Sequence, residues 1–132
     1  MEERIKISKI IPVDIYRRDV LLVVNYSHKD LAEELLKYIS KGEVKRTMKE
    51  CRSIQRDGAI TVLHGNGGVL VYLPIYHGNE SGIAKLTHEM LHAASFIIEE
   101  TGMSFSHHTQ EAYAHLLEYL MGEAMKALNQ IK

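Results

Sequence analysis

Asp57-Gly58-Ala59-Ile60-Thr61-Val62-Leu63-His64-Gly65-Asn66-Gly67-Gly68-Val69-Leu70-Val71-Tyr72-Leu73-Pro74 reads as a β-hairpin. Two runs of apolar and β-branched residues flank a Gly/Asn-rich turn, and Pro74 cannot continue a strand ladder. This stretch decides the fold because the chain after it changes period. Beyond the loop at residues 75–80, apolar residues recur at helical spacing: Ile83, Leu86, Met90, Leu91, Ala94, Ile97 and Ile98, then Ala112, Leu116, Leu117, Leu120, Ala124 and Leu128. The pattern predicts a helix over residues 81–100, stopped by Gly102, and a second over residues 109–128.

Working back from the hairpin, residues 10–25 read as another hairpin or one long bent strand. Val13, Ile15 and Tyr16 precede a polar turn at Arg17-Arg18-Asp19, and Val20-Leu21-Leu22-Val23-Val24 reads as a buried strand. Ser27 or Asp30 would cap a helix running to about residue 40, with Leu31, Leu35, Leu36 and Ile39 on one face and Gly42 as its stop. Residues 41–57 are rich in Lys and Arg, with room for a short helix around residues 47–54. Glu43, Glu50 and Asp57 interrupt the positive charge, so a solvated connector is favoured over a basic binding surface. The expected fold is α+β: a small, mostly antiparallel sheet packed on two long C-terminal helices, with the helix near residues 30–40 covering one face. Strand order is not readable from the sequence.

At 132 residues, 45% hydrophobic and 25% charged, the chain fits a single globular domain. A formal net charge of −1 favours neither nucleic acid nor an anionic membrane as partner. The lone Cys51 excludes an internal disulfide framework and fits a reducing compartment. Met1-Glu2-Glu3-Arg4 shows no secretory signal pattern, and no apolar run is long enough to span a bilayer. The expected location is cytoplasmic. Oligomeric state is not set by these features.

The first of the two long helices carries Thr87-His88-Glu89-Met90-Leu91-His92, and Glu111 follows after eighteen residues. Residues four apart share a helix face, so His88 and His92 can offer two imidazole nitrogens to one metal ion. Glu89, next to the first histidine, could take a proton from an attacking water. A carboxylate from the next helix would give three protein ligands and leave one position open, the arrangement of a catalytic zinc site. Two satisfied core histidines are the plain alternative. Three features favour metal: the pentad lies mid-helix after a strand and loop, residues 102–108 let the chain fold back, and Glu111 stands near the start of the returning helix. Both helices are apolar nearly all round, so these polar groups are expected in buried surroundings, which is costly unless they are bonded or ligate a metal.

His88-Glu89-x-x-His92 followed by Glu111 resembles the gluzincin branch of zinc metallopeptidases over roughly residues 59–120. The resemblance implies a zincin-like core holding zinc through His88, His92 and Glu111, with Glu89 as general base and a peptide or protein substrate. It also implies an edge strand above the cleft, which residues 69–73 would match. The metzincin branch fits poorly, because Ser95 and Ile98 stand where it has Gly and a third His. Many gluzincins of the thermolysin kind carry an Asp four residues after the glutamate ligand, bonded to the first histidine. Here that position is His115, which when neutral could accept the same hydrogen bond, as could Glu118 one turn on. Peptide hydrolysis also needs a group facing the developing oxyanion. Tyr72, Tyr76, His77, His107, His108, Tyr113 and Tyr119 are available, and His77 and His115 are favoured. His64, in the hairpin turn, is expected to be exposed and inert, and no motif marks Cys51 as a nucleophile. The alternative function is a catalytically silent zinc-binding structural or interaction protein, its fourth position closed by His115 or His77.

Overall fold

The computed structural model describes residues 4–55 and 57–129. Met1 to Glu3, on which part of the N-terminal reading rests, lie outside that range. The chain forms β1 (Ile7–Val13), β2 (Arg18–Val24), α1 (His28–Leu35), α2 (Lys41–Cys51), β3 (Ile60–Leu63), β4 (Val69–Leu73), α3 (Glu80–Glu99) and α4 (Gln110–Leu128). The α+β expectation holds. The sheet order is β1-β2-β4-β3, with β1/β2 and β3/β4 antiparallel and β2/β4 parallel.

The central parallel pair explains the apolar runs. All of Val20 to Val24 and all of Val69 to Leu73 are buried, because helices cover both sheet faces. On one face, Leu22, Val24, Val71 and Leu73 meet Leu86, Met90, Ile97, Leu116 and Leu120 of α3 and α4. On the other, Leu21, Val23, Leu70 and Tyr72 meet Leu31 and Leu35 of α1 and Val44, Met48 and Cys51 of α2.

Four expectations are corrected. The first hairpin turns earlier than expected: a 3₁₀ turn at Asp14–Tyr16 precedes Arg17 in the left-handed region (φ 54°), and Arg18 and Asp19 are already in β2. α1 stops at Leu35 rather than near residue 40, because Ser40 caps the next helix by accepting from the Glu43 N–H. The stretch favoured as a connector is α2, with Gly42 in its first turn rather than at a helix stop. Its spacing of Val44, Thr47, Met48 and Cys51 buries one face while the basic residues stay outside. Lastly, β4 is paired on both sides and is no edge strand; the free edge on this side belongs to β3.

The path into α3 is tightly held. Asn25, at φ 65°, donates its N–H to the Leu73 carbonyl, and its side-chain oxygen accepts from the Tyr76 N–H. The Tyr76 ring lies against Gly82, where an added Cβ would come 3.2 Å from it. Asn79 caps α3 by accepting from the Gly82 N–H. Among the described residues no helix is long and apolar enough to cross a membrane.

Candidate metal centre

α3 lies on one face of the sheet with α4 beside it, so its outer side meets solvent. Met90 is fully buried. His88 and His92 stand two residues to either side of it, about 200° around the helix at about 100° per residue, and both are exposed. This corrects the expectation of buried histidines: Leu91 and Ile83 are also exposed, so α3 is not apolar all round. Glu89, turned toward β3, is the buried polar member of the motif.

The two imidazoles converge, with His88 Nε2 and His92 Nε2 3.3 Å apart, within hydrogen-bond distance of each other. Two nitrogens at zinc–nitrogen distances of about 2.0–2.1 Å around a tetrahedral ion stand about 3.3 Å apart, so the spacing suits two ligands of one ion. Glu89 Oε2 lies 3.9 Å from His88 Nε2. Its other oxygen, Oε1, accepts a hydrogen bond of 2.7 Å from the Thr61 hydroxyl, which also lies 3.0 Å from the Glu89 carbonyl oxygen. Thr61 was not singled out in the sequence. Its position within a β-strand gave only the signal that a hydroxyl alternates onto the helix-covered face with Leu63, and its partner lies 28 residues on.

Glu111 is placed elsewhere. Its Oε2 lies 3.4 Å from His115 Nε2, one turn along α4, and both side chains are largely exposed. The packing of the helices explains the separation. Thr87 Oγ1 meets Met121 Sδ at 3.8 Å, which sets the antiparallel level of α4 against α3. Ten residues back from Met121 is about 15 Å along α4, while His92 is about 7.5 Å along α3 from Thr87. Glu111 therefore lies nearly three turns of helix past Thr87's level, about 7.5 Å beyond that of His92. Among the described residues, no three His, Cys, Asp or Glu side chains come together as a ligand set.

His77 is exposed in the loop before α3. His115 lines a groove of about 460 Å³ between α4 and the Asp14–Tyr16 turn, on the β1 side of α4. The tyrosines have other work. Tyr72 is buried and donates to the Tyr26 carbonyl, Tyr113 is buried near the Met103 carbonyl, and Tyr119 donates to the Pro12 carbonyl. Burial pushes the Cys51 thiol up to about 12, so it holds little thiolate at neutral pH. Comparison with known proteins finds no match: no family model fits the chain, and neither a curated protein nor a solved structure shows significant similarity to it.

Proposed function

We propose that this chain is a zinc-dependent peptidase in which His88, His92 and Glu111 hold the ion and Glu89 is the general base. The reading is carried by one observation: two imidazole nitrogens at the spacing of tetrahedral ligands, beside a buried and anchored carboxylate. A zinc ion bound there would supply Lewis acidity, polarising the scissile carbonyl and making water easier to deprotonate.

The chain's own groups then divide the work. Thr61 occupies Oε1 of Glu89, so Oε2 is the oxygen free to take a proton from the attacking water and pass it to the leaving amine. Peptide binding falls to β3. His64 N–H donates to the Gly68 carbonyl at 2.8 Å, and the antiparallel ladder alternates from there, directing the backbone groups of Thr61 and Leu63 to the outer edge. An extended peptide adding to that edge would run past Glu89. For Glu111 to join the histidines, the first turn of α4 must close toward α3 and also shift back along it across the offset of about 7.5 Å from His92, exchanging His115 for the ion; the exposed pair itself resists weakly. His77 is the proposed donor to the oxyanion. His115 could assist only with the same movement of α4.

The test begins with protein purified without added zinc and without a nickel column. Its metal content is measured, and cleavage of fluorescent casein is followed after zinc loading. Glu89→Gln should keep zinc and lose about 10²–10⁴-fold in turnover. Cleavage at the parent rate would place the base elsewhere. Failure to take up zinc would remove the metal reading, and zinc uptake without turnover in the parent would leave the silent zinc-binding alternative.

A further inference from the structure

On the α1/α2 face of the sheet, far from the histidine pair in the fold, a cavity of about 210 Å³ opens where the start of β2, the turn before β4 and residues 35–39 meet. His64 lines it. The sequence suggested an exposed, inert turn residue, but His64 is only 6% exposed, because the hairpin turn folds under α2, where Glu43 accepts from the Gly65 N–H. His64 Nε2 has no hydrogen-bond partner among the described residues, and neither has Arg18 Nε, which belongs to a second residue of the same cavity wall. A buried polar group left unpaired costs about 1–3 kcal/mol. With His64 as the Nε2–H tautomer, two such donors, one from the hairpin turn and one from the start of β2, line one cavity and point to a shared acceptor. Gly67 makes room for this arrangement: at φ +86°, a Cβ there would come 2.5 Å from Arg18 Nε.

The surroundings define the acceptor. Arg17 and Arg18 bring two positive charges and Asp19 takes one back, so the wall carries a net charge of about +1, which suits a monoanion better than a dianion. Burial holds His64 below its ordinary value, with Glu43 acting in the opposite direction, so near pH 7 the imidazole is a neutral hydrogen-bonding group rather than a further charge. Ile10, Leu21, Leu35, Ile39 and Val69 give the wall an apolar side, Tyr38 and Asn66 add polar groups at it, and the volume admits a body of only a few carbon atoms. We infer that this cavity is a binding site for a small aliphatic monocarboxylate, held by the Arg18 guanidinium and the His64 imidazole. The inference is independent of the zinc reading, since it uses none of the motif residues.

The experiment is a titration of the full chain with sodium isovalerate, with sodium chloride at equal ionic strength and sodium phosphate as comparisons. Binding is followed by calorimetry and by the ¹⁵N signals of the His64 ring. Saturable binding with a change at His64 Nε2 is expected. Arg18→Lys keeps the charge but loses the planar fork, and should weaken binding about tenfold. His64→Gln should weaken it about threefold to tenfold. Circular dichroism verifies that both variants fold, and the His64 ring signals of the parent stand as evidence even if a variant does not. Absence of saturable binding to the parent, binding undiminished in a folded Arg18→Lys variant, or phosphate binding as tightly as isovalerate would each overturn the assignment.

Discussion

Two side-chain pairs stand on neighbouring helices at the same four-residue spacing, and they differ in what lies behind them. On α3, His88 and His92 bring their Nε2 atoms to 3.3 Å, and the residue between them in the motif, Glu89, is buried and tied to β3 by Thr61. On α4, Glu111 and His115 meet at 3.4 Å with 81% and 74% of their side chains exposed, and behind them is only the groove toward the Asp14–Tyr16 turn. Helical spacing alone therefore makes a pair. A buried carboxylate held from a neighbouring strand gives the α3 pair a fixed acidic group that the α4 pair lacks, and the proposed proton transfer rests on that difference.

The comparison can be broken most sharply at the histidines. His92→Ala should lower zinc affinity by at least about 100-fold in a chelator competition, whereas His115→Ala should leave it within about twofold. Equal losses would mean that His115 belongs to the ligand set. Glu111→Gln should weaken zinc about 10–100-fold if the first turn of α4 closes onto α3, and an unchanged affinity would show that Glu111 stays with His115. Thr61→Val tests the anchoring of Glu89. It should cost about 1–3 kcal/mol of stability in a urea titration and lower turnover without lowering zinc content, and Thr61→Ser should restore most of both. A silent exchange would remove Thr61 from the argument.

The smallest effect expected lies away from both pairs and serves as a reference. Lys37 first, and then the Ser8 hydroxyl, hold the Glu34 carboxyl below its ordinary value of 4.5. A depressed folded-state value stabilises the fold above the unfolded value, and that stability is lost as pH falls through the folded one. Ser8→Ala should therefore lower stability at pH 7 by about 0.5–1 kcal/mol. The gap from the parent should narrow as pH drops below 4.5, as read from urea midpoints across pH 3–7.

Much of the architecture was legible. The 60–73 hairpin, the Ser27 cap and the limits of α3 and α4 within a residue of their expected positions all follow from local period and capping chemistry. α2 was obscured because basic residues on its outer side masked a four-residue apolar stripe, and the cap that begins it, Ser40, looked like the tail of α1. The motif histidines could be named at once, but their exposure could not, since it depends on which side of α3 receives α4 and the sheet.

What the linear chain determined by itself is whatever is encoded within a few residues: hairpin, helix limits, caps, and the one-turn spacing that brings His88 to His92. Tertiary packing alone decided that β2 and β4 run parallel in the middle, that β3 rather than β4 is an edge strand, that Thr61 reaches Glu89, that His64 is buried, and that Glu111 stands with His115. The reason is physical. Spacing along a helix is set by backbone geometry, whereas strand neighbours, helix level and burial are set by contacts between segments tens of residues apart, and local sequence carries no record of which of those contacts wins.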